Sequence, residues 1–374
     1  MNSDKIKVII FFPELTNYQS NLYRHISNDS INVEYYYCKK IKFWESTENI
    51  HKSYKESKIN YFSIPIKSNP NEKYEEVFSM KLFFKLIKEK PQILVVNSNF
   101  LFSLPYLLIA KCCKIKVISQ TTDIPNTKTI FGKLSNFVLK CNDYFVRHYI
   151  VPSEKKKTLM EQNNINSEKI SVIGHGINTK TFSPKKTWPS IVPKDKKIIF
   201  SNGRLTKVKG QQLLIKSFVK IKKQVENSFL IIIGDGPEKE NIKKIIKTEE
   251  LEKDILLLDG MENSKMPEFY SVADLIVVPT IVSEPFGTIY LESMASEKPT
   301  VSFDIDGGKK DFIKDGINGV FVQPKNINKL TDSIIDLLKD DQKRLEMGIN
   351  ARKLICEKYS YKTISQKWIE IIKK

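Results

Sequence analysis

Two carboxylates, Glu284 and Glu292, stand eight positions apart in Glu284-Pro285-Phe286-Gly287-Thr288-Ile289-Tyr290-Leu291-Glu292. Ionised carboxylates accept hydrogen bonds from hydroxyls, so one suits a sugar and the other a ribose. Pro285 and Gly287 break the chain just after the apolar run Leu275-Ile276-Val277-Val278, and Thr288 is an expected N-cap for a helix that passes Glu292 and reaches about Ser296, before Pro299. A helix that starts at the end of a buried strand presents unpaired N–H groups, and these bind a diphosphate without a metal. Taken alone, the two residues equally fit a helix cap and a solvated helix face.

A second segment supplies cations. Ile198-Ile199-Phe200-Ser201-Asn202-Gly203-Arg204-Leu205-Thr206-Lys207-Val208-Lys209-Gly210 reads as a strand, a glycine turn at Gly203, and a loop carrying Arg204 and Lys209. Arginine grips phosphate oxygens bidentately and lysine adds a point charge, a combination suited to a departing diphosphate. In a chain with 61 Lys+Arg, such a pair is also ordinary surface charge.

With both segments in view, the sequence resembles the retaining glycosyltransferases of family 4. Further pieces follow in that family's order: Gly234-Asp235-Gly236-Pro237-Glu238, Leu258-Asp259-Gly260, Ala273-Asp274, Pro299-Thr300-Val301-Ser302, Gly307-Gly308 and Asp315-Gly316-Ile317-Asn318-Gly319. The likeness is dense from about residue 170 to 325. It implies an α/β GT-B fold, with two Rossmann-like doubly wound parallel-sheet domains facing across a cleft. It also implies that Arg204 and Lys209 contact the donor diphosphate, Glu284 the sugar and Glu292 the ribose. Backbone around Phe286, Gly287 and Thr288 would approach the donor, and Met261, Glu262 and Asn263 would lie near the base. The implied reaction is a metal-independent, front-face displacement in which the leaving phosphate helps take the acceptor's proton. The donor is a nucleotide sugar, with a UDP-sugar favoured and a GDP-sugar as the second choice. The acceptor is a glycan or lipid-linked sugar of a bacterial surface polysaccharide, of capsule or lipopolysaccharide type. A nucleotide-sugar epimerase, or a binding protein without turnover, is the alternative on the same fold.

The first half departs from the family. Many members carry a histidine after the fourth or fifth strand, whereas this loop reads Ser119-Gln120-Thr121-Thr122-Asp123-Ile124-Pro125. Asp123 or Gln120 is the candidate to take over its polar contacts, and Asp123 equally starts a turn before Pro125. His175, between Gly174 and Gly176, is expected to be structural more than catalytic. Asp304-Ile305-Asp306 matches a metal-binding Asp-x-Asp but follows a strand and leads into Gly307-Gly308, so it reads as turn chemistry. Gly234-Asp235-Gly236 lacks the third glycine of a dinucleotide fingerprint.

The elements that must position these residues alternate strand and helix. Strands are expected at 7–12, 32–37, 59–64, 93–97, 116–119 and 149–151, then at 198–201, 229–233, 255–258, 275–278, 299–302 and 319–322. Helices are expected near 210–224, 237–249, 265–271 and 326–339. The 374 residues then divide into an acceptor domain (1–186), a donor domain (187–359) and a terminal helix (360–374) crossing back to the first domain. The boundary falls in the proline-bearing stretch Phe182–Pro189. Five cysteines show neither a disulfide framework nor zinc spacing, and no signal peptide is legible, so a cytoplasmic protein is expected. The longest apolar stretch, 100–110, is short of the ~20 residues that span a bilayer.

The net charge of +18 is uneven. Residues 1–186 hold 29 Lys+Arg against 16 Asp+Glu, and the remainder holds 32 against 27. Lys39-Lys40, Lys111, Lys114, Lys116 and Lys155-Lys156-Lys157 beside apolar helices suggest peripheral association with the anionic inner face of a membrane. No nucleic-acid module accompanies the charge, and no cofactor is expected.

Overall fold

The structure, a computed structural model, describes residues 5–15, 17–40, 54–69, 72–99, 101–121, 130–184 and 187–374. The chain forms two compact units: Met1–Gly176 with Tyr361–Lys374, and Ile177–Ser360.

The first unit runs β1 (Ile6–Phe11), β2 (Glu14–Leu15), α1 (Asn17–Ile26), β3 (Ile31–Tyr37), β4 (Lys39–Lys40), β5 (Tyr54–Lys58), β6 (Phe62–Asn69) and β7 (Glu72–Phe78). It continues with α2 (Met80–Glu89), β8 (Ile93–Val96), α3 (Leu104–Cys112), β9 (Lys116–Gln120), α4 (Ile130–Asp143), β10 (His148–Val151), α5 (Glu154–Gln162) and β11 (Ile170–Val172). Seven strands form one parallel sheet in the order β11-β10-β9-β8-β1-β3-β5. Of the strand expected at 59–64 only 62–64 are strand, as the start of β6, which pairs antiparallel with β7, while β5 ends at Lys58. These strands are charged and carry no continuous apolar run, so only their pairing with each other marks them.

The second unit runs β12 (Lys197–Asn202), α6 (Gln211–Lys222), β13 (Ser228–Ile233), α7 (Lys239–Thr248), β14 (Ile255–Leu258), α8 (Met266–Val272) and β15 (Leu275–Val278). It continues with α9 (Thr288–Ala295), β16 (Thr300–Phe303), β17 (Gly319–Val322), α10 (Ile327–Lys339) and α11 (Asp341–Lys358). Its sheet, β14-β13-β12-β15-β16-β17, is wholly parallel. Alternate residues supply two cores. Ile198, Phe200, Ile231 and Ile276 pack on one face, and Ile199, Leu230, Ile232 and Leu275 on the other. Burial on both faces is why these strands read as unbroken apolar runs.

The order of this sheet reverses between β12 and β15. From β12 the chain winds outward to β14, then returns to β15 and winds the other way. Ligands of open α/β sheets bind beyond the carboxyl ends of the strands at such a point. Arg204 follows β12, and Glu284 follows β15.

The units divide ten residues before the expected boundary at 186/187. The cause lies in 177–184, which is bonded into the second unit. Ile177 N–H donates to Tyr359 O at 2.9 Å, and Arg352 donates to the carbonyls of Thr179 and Phe182 at 3.2 Å each. The Phe182 ring meets Tyr270 edge-on at 5.6 Å. The terminal helix α12 (Tyr361–Lys373) groups with the first unit, where Trp368 is buried edge-on against Tyr23 and Tyr361 stacks on His25.

Candidate functional site

Four loops of the second unit converge at the carboxyl ends of its strands. The loop after β12 makes a single tight turn, Lys207–Lys209, and lies against the end of β15, with Ile281 N–H donating to Val208 O at 2.8 Å. Gly210 allows that approach. Its φ is +73°, and a Cβ there would stand 2.0 Å from Pro279 O. The loop after β16 meets the loop after β15 just as closely. Gly308 N–H donates to Glu284 O at 3.0 Å, and a Cβ on Gly308 would stand 2.1 Å from Pro285 O. Both contacts require glycine because backbone occupies the space of a side chain. The loop after β13 joins the cluster through Leu205 N–H, which donates to Asp235 O at 2.8 Å.

Lys209 and Glu284 come together as an ion pair between Nζ and Oε1. Their side chains are 32% and 18% exposed, so both remain reachable. Arg204 is exposed and forms no ion pair among the described residues. Gly203, with φ +138°, makes the turn that leads to it.

The expected helix after Glu284 is present, with a different cap. Gly287 is the N-cap, at φ 87° and ψ 91°, and Thr288 is the first helical residue, so no side chain caps α9. Its first N–H groups are therefore left for solvent or a ligand. Glu284 Oε2 lies 3.3 Å from the Cβ position of Gly287, placing the carboxylate beside the helix start. The Phe286 side chain is core, packed on Phe312 and Tyr359, so only its backbone faces the loop cluster. Met261 is half-buried against the same core.

Glu292 sits one turn into α9 and is 7% exposed. Oε1 accepts from Asn263 Nδ2 at 3.0 Å, and Oε2 lies 2.7 Å from the Tyr270 hydroxyl. Burial pushes the carboxyl up to about 7 in spite of both hydrogen bonds. That hydroxyl also lies 2.9 Å from Asn202 Oδ1, at the end of β12. A tyrosine O–H has one proton, so it serves one acceptor at a time. With Glu292 ionised the proton points to the carboxylate. With Glu292 protonated, the acid donates to Tyr270 and Tyr270 donates to Asn202. The chain Asn263–Glu292–Tyr270–Asn202 thus ties α9 to the end of β12, the strand that leads to Arg204.

Sequence reasoning missed most of this network. It placed Asn263 near a base but did not anticipate that its amide donates to Glu292. It passed over Lys309 entirely. Lys309 is buried, donates to Ser302 Oγ at 2.9 Å and Phe303 O at 2.5 Å, and lies 5.8 Å from the centre of the Tyr290 ring. Burial holds its ammonium down at about 8, opposed by the nearby charge of Glu284. The Tyr290 hydroxyl shares Ser302 Oγ at 3.0 Å. No spacing distinguishes Lys309 from the other lysines of the chain.

Asp304 pairs with Lys310, whose Nζ lies 4.0 Å over the Phe321 ring. Among the described residues, no group of three or more His, Cys, Asp or Glu side chains is placed to hold a metal.

In the first unit Asp123 lies outside the described residues. Gln120 is buried at the end of β9, and its Oε1 accepts from the Tyr23 hydroxyl. His175 is buried, its ring centre 4.3 Å from that of Tyr18 and its Nε2 3.3 Å from the Tyr18 hydroxyl. Burial drives its pKa down to about 3, so the imidazole is neutral. None of the five cysteines, all among the described residues, is joined in a disulfide. No described helix is long and apolar enough to cross a membrane.

A profile of the family described as Glycosyl transferases group 1 matches residues 183–354, which contain every site residue of the second unit. An uncharacterized glycosyltransferase of Methanocaldococcus jannaschii is 31% identical over 218 residues, 56% of this chain and 55% of that protein. The lipopolysaccharide 1,2-N-acetylglucosaminetransferase of Salmonella typhimurium is 26% identical over 261 residues, 67% of this chain and 68% of that protein. The chain thus spans between about half and two thirds of the length of these relatives. The crystal structure of Anabaena HepE in complex with UDP superposes with a TM-score of 0.76 at 18% identity, over 98% of this chain and 99% of that one. The shared fold is GT-B.

Proposed function

We propose that this chain, whose residues 183–354 belong to the glycosyl transferases group 1 family and whose fold is GT-B, is a retaining glycosyltransferase. It moves a sugar from a nucleotide-sugar donor, a UDP-sugar before a GDP-sugar, to a glycan or lipid-linked acceptor in bacterial surface polysaccharide synthesis. A cytoplasmic location, with peripheral association at an anionic membrane, goes with that acceptor. The observation that carries the reading is the meeting of Lys209 with Glu284 beside the uncapped start of α9, at the point where the strand order of the sheet reverses.

The chemistry follows from the charges. Arg204, Lys209 and the first N–H groups of α9 neutralise the diphosphate as its bond to the anomeric carbon lengthens. Glu284, paired with Lys209, fixes the sugar hydroxyls, and the leaving phosphate oxygen receives the acceptor's proton. Glu292, one turn into α9, accepts from the ribose once Asn263 gives way. Asp123 is the first-unit candidate for a polar contact to the sugar. The positive charge comes from side chains, so the transfer needs no metal and no cofactor.

The test is to incubate the protein with UDP-, GDP-, ADP- and TDP-sugars, each with and without chelator, and to assay nucleoside diphosphate release and sugar configuration. Slow release from one donor, undiminished by chelator and abolished in Glu284→Ala and Lys209→Ala, supports the reading. Epimerised donor without release supports the epimerase alternative, and binding without any conversion supports a binding protein.

A further inference from the structure

We infer that α2, α3 and α4 of the first unit form a single face that docks on an anionic phospholipid bilayer. In the first sheet β8, β9 and β10 are consecutive neighbours, with α3 connecting β8 to β9 and α4 connecting β9 to β10. Right-handed crossovers in one direction put both helices on the same side of the sheet. α2 packs on α3, Asn142 of α4 donates to Ser103 Oγ at the start of α3 at 3.2 Å, and Lys111 Nζ of α3 lies 4.8 Å over the Tyr144 ring just beyond α4.

The composition of the outer surface is what sets this face apart. Phe84 and Ile87 of α2, Leu108 of α3, and Leu134 and Phe137 of α4 are exposed, Phe137 by 65% and Phe84 by 58%. The charged residues exposed among them are all lysines: Lys81, Lys88, Lys111, Lys133 and Lys140. Among the described residues no exposed carboxylate stands on these helices. Glu89 is held by Lys7 and Lys85, and Asp143 by Lys169. The next helix, α5, ends the pattern with exposed Glu154, Thr158 and Gln162.

Large apolar side chains ringed by lysine fit the boundary between anionic headgroups and acyl chains, where each part gains. A soluble polyanion would cover the lysines and leave the phenylalanines in water. A second copy of the same face would set lysine against lysine.

This deepens the reading of a transferase that meets a lipid-linked acceptor at a membrane, but vesicle binding needs no turnover, so the two can fail separately. The full chain is sedimented with phosphatidylcholine vesicles, with and without phosphatidylglycerol. Binding should require phosphatidylglycerol and weaken with salt. Lys133→Gln with Lys140→Gln should lower the partition coefficient about 30-fold, and Phe137→Ser with Leu134→Ser should lower it further. Phe137→Trp should shift its emission to the blue on these vesicles. Nucleotide-induced thermal stabilisation, unchanged in each variant, shows the second unit intact. The inference is overturned by no sedimentation with phosphatidylglycerol, by binding that leaves Phe137→Trp emission unmoved, or by equal binding to heparin that ignores Phe137→Ser. It is also overturned by a lipid-independent dimer that Phe137→Ser dissolves.

Discussion

Replacing Glu292 with glutamine should make the second unit more stable at neutral pH and leave it little changed near pH 4.5. The carboxyl is buried, and its two hydrogen bonds do not repay the loss of water, so its pKa stands at about 7 against an ordinary 4.5. The sign follows from proton binding. Between pH 4.5 and 7 the folded protein keeps this proton and the unfolded chain has released it, so stability falls as pH rises through that window. At 1.36 kcal/mol per pKa unit the loss is about 3 kcal/mol, complete above pH 7. Ionisation also turns the Tyr270 proton towards Glu292 and takes it from Asn202 Oδ1. Glutamine is neutral at every pH and can donate to Tyr270 in place of the acid. Urea unfolding of wild type and Glu292→Gln, followed through the second unit's transition across this range, should show their difference growing by about 3 kcal/mol and then levelling. A difference that does not vary with pH would mean that Glu292 is ionised in the fold throughout, and the network described above would be wrong.

Arg204→Ala should leave the melting temperature within error, because the side chain is exposed and forms no ion pair among the described residues, while donor affinity falls about tenfold to a hundredfold; calorimetry separates the two. Gly308→Ala should cost about 2 kcal/mol or more and release the loop after β16 from Glu284, because its Cβ would meet Pro285 O; an unaltered melt would refute the close approach. Lys309→Met should fold, with wild-type turnover declining as pH rises through about 8 and the variant showing no such limb, since the Lys309 ammonium that holds Ser302 and Phe303 O is lost there; a pH–rate profile decides.

The second unit was far more legible than the first, for reasons visible in particular residues. Ile198–Phe200 and Phe229–Ile233 are buried on both faces, so they announce themselves as apolar runs, and Gly203, Gly287 and Gly308 mark the turns after such runs. Lys209 and Glu284 stood out because each lies in a glycine-bearing loop that follows an apolar strand. The β6–β7 hairpin was not, since charged strands depend on pairing with one another. Helix α11 went unread because its apolar residues do not line one face and its first turn buries Arg344, which donates to Leu338 O at 2.9 Å and pairs with Asp274. The partners of Glu292 lie on other elements, 22 and 29 residues away, and only tertiary packing brings Tyr270 and Asn263 to it. Thr288 looked like a cap by residue type, yet Gly287 caps because its φ of 87° is open to glycine at little cost.

The claim on which the account rests is that cationic side chains and the start of α9 hold a nucleoside diphosphate while Glu284 holds only the sugar. Calorimetric titration of UDP and GDP, free of divalent metal, onto wild type, Lys209→Ala and Glu284→Ala tests it directly. Wild type should bind one of them, Lys209→Ala should lose at least about tenfold, and Glu284→Ala should still bind the diphosphate. Lys209→Ala titrating like wild type would contradict it.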